Sequence, residues 1–356
     1  MQSSEWHEDV LGADFEQRTL PLPGSEATLV RHVPSTRDAT PRRVAVLYVH
    51  GFVDYFFHPH VARALASPES LRVPGAERGD SRGGGAGYAF YAVDLRGFGR
   101  SLAAHTAAGK DPNLAPDLAL HAQDLDAAAA AVRGAGHERL VVLGHSMGGL
   151  VTTLWAAGRP GRADALVLNS PWFDLNESWL MRGPVTRALA AVGRVAPRLV
   201  VGGLHEHYGR ALHADSGGEW DFDPAWKPHE GFPVRAGWIS TVRAAQRRLG
   251  TGALDVGVPT LVVASARSGP HKTAHPEVLT TDSVLSVDHI RAGAQRIGSD
   301  ITFEQVDGGA HDLALSPSPA REEYLRVVTT WLAKRVPRPP DRAVRGQAAG
   351  NRSAAR

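Results

Sequence analysis

The chain has 356 residues, 43% hydrophobic and 21% charged, enough for one large globular domain or a core with a substantial insertion. Its formal charge of +2 is unevenly spread: Lys334 to Arg356 holds seven Lys or Arg and one Asp, a tail of +6 that leaves the rest at about −4, so the basic balance is no signature of nucleic-acid binding. Zero cysteines exclude disulfides, thiolate metal sites and a Cys nucleophile; with no secretory h-region in Met1 to Leu20 and no apolar run of membrane-spanning length, a cytoplasmic protein without an integral membrane segment is expected.

Glu16 to Val33 reads as an opening hairpin around Leu20-Pro21-Leu22-Pro23-Gly24. Val44 to Val49 is a continuous apolar run, the pattern of a strand buried on both faces, and it ends in His50-Gly51-Phe52-Val53-Asp54-Tyr55. A helix is expected from His60 to Ala66. The Gly-, Pro-, Ser- and Arg-rich stretch 67–87 lacks the Gly-Lys-Ser/Thr of a phosphate loop and reads as a mobile surface insertion. A strand over Tyr88 to Leu95 leads into Asp94-Leu-Arg-Gly-Phe-Gly-Arg-Ser101, and an alanine-rich helix covers Asp117 to Arg133.

The apolar run Leu140 to Leu143 then meets Gly144-His145-Ser146-Met147-Gly148, followed by a helix-forming segment. This is the G-x-S-x-G pattern in its strand-to-helix setting, where a tight turn holds the serine hydroxyl above the sheet and the helix N-terminus favours developing negative charge. A strand over Ala165 to Asn169 follows. Strand and helix alternate throughout, so the economical fold is a mostly parallel central sheet flanked by helices.

Between residues 170 and 240 that rhythm breaks. Met181 to Val201 reads as an amphipathic helix with Val185, Leu189, Val192 and Val195 on its apolar face, and five of the eight tryptophans lie between Trp172 and Trp238. These aromatics either form an apolar substrate wall or pack an inserted cap onto the core. The core resumes with a helix over Thr241 to Leu249, strands over Thr260 to Ala264 and Ile301 to Val306, and a terminal helix over Ala320 to Arg335. The expected division is a core of residues 1–170 and 241–335, a helical cap over 171–240 and a disordered basic tail over 336–356.

Ser146 needs a base to take its proton. With the elbow, the triad order is Ser, Asp/Glu, His, which places the base on a loop after the last strand; His311 in Val306-Asp-Gly-Gly-Ala-His-Asp-Leu313 occupies that place. The acid should follow the strand Thr260 to Ala264, where a long segment intervenes before the first candidate, Asp282. Asp288 sits where a helix N-terminal carboxylate would stand, and Asp174 follows the preceding strand; both stay open as alternatives. The oxyanion hole is expected from the backbone N–H groups of Met147 and Phe52, with His50 shaping the loop by hydrogen bonding. The pairs His58/His60, His205/His207 and His271/His275 lack H-E-x-x-H spacing, so neither a metal nor another cofactor is expected.

His50-Gly51-Phe52, Asp94 to Ser101, Gly144 to Gly148 and Gly309-Ala310-His311-Asp312, in this order, resemble the α/β-hydrolase superfamily, most closely its branch of monoacylglycerol lipases, lysophospholipases and related esterases. The resemblance implies Ser146 as nucleophile, Asp282 as acid, His311 as base and a lid over an acyl pocket. The chain departs from the pattern after Ala264, where an insertion separates the strand from the acid, and in the Gly-rich stretch 67–87. The expected activity is hydrolysis of carboxylic esters carrying an apolar acyl group, such as monoacylglycerol or lysophospholipid, through an acyl-enzyme. The alternatives are amide, thioester or carbon–carbon bond hydrolysis on the same scaffold, or a non-catalytic binding protein.

Overall fold

A computed structural model of the chain describes residues 5–33, 42–67, 87–178, 181–252 and 254–336. Most of the Gly-rich stretch 67–87, Trp179 and the tail 337–356 lie outside them. The described residues form a nine-stranded sheet of β1 (His7–Asp9), β2 (Gly12–Leu22), β3 (Ser25–His32), β4 (Val44–Val49), β5 (Ala89–Asp94), β6 (Arg139–His145), β7 (Ala165–Asn169), β10 (Thr260–Ser265) and β11 (Ile301–Val306), in the order β1-β2-β3-β5-β4-β6-β7-β10-β11. The first three strands pair antiparallel at one edge, and everything from β5 to β11 is parallel.

The parallel strands are apolar without alternation because both faces are covered. On β4, Ala45, Leu47 and Val49 join a core beneath α3 (Ala119–Gly134), α4 (Met147–Gly158), α7 (Ala236–Gly250) and α8 (Val287–Ala294). Val44, Val46 and Tyr48 face the other way, towards α1 (Pro59–Ala66) and α9 (Ala320–Arg335). Each fully buried valine or leucine among them contributes roughly 1.5–3 kcal/mol of hydrophobic stabilisation.

The Asp94 to Ser101 motif has a structural explanation. The side chain of Arg100 is buried and holds Asp9 of β1 through two bonds (2.6 and 2.7 Å) and Asp94 through a third (2.8 Å). Asp94 also accepts the backbone N–H groups of Phe56 and Arg100. Gly99, at φ 46°, leaves no room for a Cβ, which would lie 2.4 Å from the Asp94 carboxylate.

Between β7 and α7 lie α5 (Thr186–Val195), α6 (His207–Leu212) and a two-stranded sheet of β8 (Val200–Gly202) and β9 (Val234–Arg235). Two expectations about this region are corrected. The helix expected over Met181–Val201 begins as a π-turn (Met181–Val185) and is over by Val195, just before Pro197. The returning core helix starts at Ala236 rather than Thr241, so a boundary at residue 240 would cut it in two.

The aromatics of the region mostly pack. Trp220 and Trp226 join Phe222 and Leu212 in a cluster that includes Tyr55, Phe57 and Leu315 of the core. Trp238 stacks on Phe52 at 4.9 Å. Trp172 is the only tryptophan lining the cavity above the sheet among the described residues.

Candidate active site

β6 lies at the middle of the sheet, and the chain turns sharply at its end. Ser146 takes φ 50° and ψ −115°, a conformation costing on the order of 1–3 kcal/mol for a residue with a side chain. The turn is held from several sides: Ser146 N–H donates to the Asn169 carbonyl (3.0 Å), and its own carbonyl accepts from Leu150 and Trp172. The flanking glycines are steric necessities. A Cβ on Gly144 would stand 2.7 Å from the Gly148 carbonyl oxygen, and one on Gly148 would stand 2.3 Å from the carbonyl oxygen of Val49.

His311 reaches the serine from the loop after β11. Its Nε2 lies 3.1 Å from Ser146 Oγ, and its Nδ1 lies 3.0 and 3.1 Å from the two Asp282 carboxylate oxygens. The carboxylate can only accept here, so Nδ1 carries the proton and Nε2 is left to accept from the serine hydroxyl. All three residues are buried.

Of the three acid candidates, the structure brings Asp282 to His311. Residues 266–281 leave the end of β10 and return to it: Asp282 N–H donates to the Arg267 carbonyl (2.9 Å), and Gly269 N–H donates to the Asp282 carbonyl (2.8 Å). The insertion therefore closes on itself and returns Asp282 to the end of β10. Asp282 Oδ1 also accepts from the N–H groups of Val284 (3.0 Å) and Leu285 (2.7 Å), which fix its orientation. Asp288 is exposed in the first turn of α8. Asp174 binds Arg182 and Arg243, each at 2.6 Å. Burial would raise the Asp174 pKa, but these hydrogen bonds leave it lowered overall.

The Gly51-Phe52 loop abuts the elbow so closely that a Cβ on Gly51 would be 3.3 Å from Ser146 Cβ. Met147 supplies the first N–H of α4. Among the described residues neither Phe52 N–H nor Met147 N–H donates to an acceptor. His50 shapes this loop as its place suggests: Nδ1 donates to the Gly51 carbonyl (2.7 Å), and Nε2 accepts from Leu95 N–H (3.0 Å).

Sequence reasoning missed a second buried polar network beside the first. Asp312, next to His311, accepts from His58 Nε2 (3.0 Å), Asn169 Nδ2 (2.8 Å) and Ala314 N–H (3.0 Å). Burial would raise its pKa, but the hydrogen bonds from His58 and Asn169 outweigh that effect and hold it well below the ordinary value. Asp312 N–H donates to the hydroxyl of Tyr208 in α6, whose ring meets that of His311 edge-on at 5.9 Å. Asp54, four residues into the His50 loop, pairs with Lys227 at 2.6 Å and accepts from Gly51 N–H (3.3 Å). The His-Asp dipeptide and the loop aspartate were visible in the sequence, but their partners lie as many as 254 residues away.

Three histidines of those pairs are otherwise employed. His58 serves Asp312, His60 binds the Ala314 carbonyl, and His275 binds Ser283. Asp54, His145 and Asp312 bring one potential ligand atom each within 4.8 Å of one another. Lys227 and His58 already engage those carboxylates, so the donor set serves the internal network. Burial lowers the His145 pKa to about 4, which leaves it neutral at neutral pH.

Above Ser146 opens a cavity of about 310 Å³. Trp172, Leu175, Leu204, Val278, Val284 and Leu285 make its walls largely apolar. Residues of the 266–281 insertion, among them Pro270 and Val278, contribute one side of it.

Residues 84–317 match the profile of the serine aminopeptidase, S33 family. A monoacylglycerol lipase of Mycolicibacterium smegmatis is 33% identical over 174 residues, 48% of this chain and 51% of that protein, so the match spans about half the length of the relative. A soluble variant of monoglyceride lipase from Saccharomyces cerevisiae, solved with a substrate analog, superposes with a TM-score of 0.62 at 15% identity, covering 92% of this chain and 99% of the other. The monoacylglycerol lipase of Paleococcus ferrophilus gives 0.58 at 18% identity, covering 83% and 96%. With a parallel sheet bearing the elbow at its centre and a family match over most of its length, this chain belongs to the serine aminopeptidase S33 family of α/β-hydrolases.

Proposed function

We propose that this protein hydrolyses carboxylic esters with an apolar acyl group, such as a monoacylglycerol or a lysophospholipid, through an acyl-enzyme on Ser146. The observation carrying the proposal is the unbroken buried chain from Ser146 Oγ through His311 to the Asp282 carboxylate. Ser146 Oγ attacks the ester carbonyl carbon as His311 Nε2 takes the hydroxyl proton, and Asp282 stabilises the imidazolium formed. Phe52 and Met147 donate their N–H groups to the oxyanion. Collapse of the tetrahedral species expels the alcohol, which takes the proton from Nε2, and water repeats the sequence on the acyl-enzyme to release the acid.

Two features favour an apolar ester over a peptide N-terminus, the substrate suggested by the family's description. The walls are largely apolar, and the carboxylates of Asp54, Glu177 and Asp312 at the cavity are each engaged by a cation or a hydrogen-bond donor. A substrate ammonium would have to compete with those partners for each of them. The residues read as a cap, 171–240, would cover the cavity, with Leu204 and Tyr208 contributed from it. Among the described residues no helix is long and apolar enough to cross a membrane. A cytoplasmic address is supported by the cysteine-free sequence.

The test is a panel of p-nitrophenyl esters graded by acyl length, with a monoacylglycerol and an aminoacyl amide alongside. Turnover of the esters and of the monoacylglycerol, abolished in Ser146→Ala, is expected. Preferential cleavage of the aminoacyl amide would transfer the assignment to peptidase chemistry.

A further inference from the structure

Asn169 ends β7 and bonds both halves of the site. In the sheet it stands beside His145, the residue before the nucleophile. Its backbone carbonyl accepts the Ser146 N–H (3.0 Å) and the Nδ1–H of His145 (3.2 Å), so it holds the elbow from one side. Its side chain serves the base. Nδ2 donates to Asp312 Oδ1 (2.8 Å), and Oδ1 accepts from Leu313 N–H (3.3 Å), one and two residues past His311. The carboxylate can only accept and the N–H can only donate, so the orientation of the amide is fixed. Asn169 is fully buried, and its fork suits no side chain of similar shape. An aspartate would set a second carboxylate against Asp312, and a leucine would satisfy neither partner.

This bridge spans a gap that the sheet leaves open. Ser146 follows β6 and His311 follows β11, which lie three places apart in the order β6-β7-β10-β11, about 14 Å across the sheet. Sheets twist, so without a direct tie the 3.1 Å between Ser146 Oγ and His311 Nε2 would follow the relative displacement of four strands. The base loop has further anchors. Ala310 N–H donates to Ser316 Oγ (2.9 Å), and Asp312 N–H donates to the Tyr208 hydroxyl (2.9 Å). Among the described residues, Asn169 is the one anchor of this loop that also bonds the backbone of Ser146. The Asp312 carboxylate takes no step in the proposed reaction, and here it has a use: Asn169 grips one oxygen, and His58, ahead of α1, holds the other at 3.0 Å.

We infer that Asn169 is a positioning residue, which sets the Ser146–His311 separation by tying the elbow to the base loop through Asp312 and Leu313. It does not line the cavity and takes no proton. The inference rests on the ester-hydrolase reading, in which His311 is the base for Ser146.

The experiment measures the rate at which a fluorophosphonate probe labels Ser146 in the full chain and in Asn169→Ala, each with and without His311→Ala, well below the unfolding midpoint of every variant. With His311 present, Asn169→Ala is expected to slow labelling about 10²-fold, the cost of roughly 1 Å of misplacement. Without His311 it should change the rate by less than about twofold, because the group it positions is gone. On a short-chain p-nitrophenyl ester the same substitution should lower kcat about 10²-fold and leave KM within about twofold. Asn169→Asp keeps the shape but removes the donor to Asp312; it should slow labelling as much, and it stands in if the alanine variant does not fold. Labelling at the parent rate by these variants would overturn the inference. So would equal slowing with and without His311, which would place the effect in the elbow, or a raised KM at unchanged kcat, which would place it in the cavity. A parent that takes no probe at Ser146 would instead refute the ester-hydrolase reading, and this inference with it.

Discussion

The elbow and the helix α5 are both built around close glycine contacts, yet those contacts do opposite things. At Gly144 and Gly148 the missing side chains press a strand, a turn and a helix together at the buried centre of the sheet, so that one hydroxyl is held in a strained geometry. At Gly193 the missing side chain lets α5 lie on α7 through a small-residue face, which turns the helix's larger apolar side outwards. In the first place packing fixes chemistry; in the second it releases a surface.

The sharpest way to break this contrast is at the elbow itself. Ser146→Ala should lower kcat/KM for a p-nitrophenyl ester by about 10⁴-fold or more, leaving only what binding and the oxyanion donors supply. Asp282→Asn should cost about 10⁴-fold in kcat, whereas Asp288→Asn, on the exposed first turn of α8, should stay within about twofold. Comparable losses from the two substitutions would show that the carboxylate beside His311 does not orient it.

The next effects concern stability. Lys227→Met leaves Asp54 buried without its cation and should destabilise the protein by ~3 kcal/mol in urea unfolding. Gly148→Ala drives a Cβ against backbone that cannot yield and should destabilise it by ~1–3 kcal/mol. Gly202→Ala, in β8 with nothing within 4 Å of the added methyl, should stay within about 0.5 kcal/mol. If Gly202→Ala proved as damaging as Gly148→Ala, the two regions would not differ in packing as described.

The pH dependence separates the regions more gently. Burial depresses the pKa values of His145 and His60 to about 4, so between pH 6.5 and 4 the unfolded chain binds protons that the folded one refuses. Stability is therefore fully present above pH 6.5 and is lost as pH falls towards 4, with His145 alone contributing on the order of 3 kcal/mol. Urea midpoints at pH 7.5, 5.5 and 4.5 should fall in that order; a flat series would mean that these imidazoles are not held neutral.

How much of this could be read from the sequence follows the range of each interaction. The elbow was legible because its glycines and serine fall in one five-residue pattern between a strand and a helix, even though Gly148 is there to clear the distant Val49 carbonyl, and His311 because it follows the last strand of a regular alternation. Asp282 was harder, since the return of 266–281 to the end of β10 is made by backbone bonds that no local pattern announces. The Asp312–His58–Asn169 network was invisible for the same reason: its members are distant in sequence and meet only when the sheet edge is assembled. The apolar periodicity of α5 was correctly seen, but periodicity identifies an apolar face without saying whether it is the face that packs. Here the small residues packed instead, and the early end before Pro197 cut the helix short of Val201.

The central claim is that Ser146 is an activated nucleophile. The most direct test is labelling of the native full chain with a fluorophosphonate probe, followed by peptide mass mapping. One adduct is expected, on Ser146, absent from Ser146→Ala and strongly slowed in variants of His311. A native protein that takes no adduct at Ser146, or takes it equally well without His311, would contradict it.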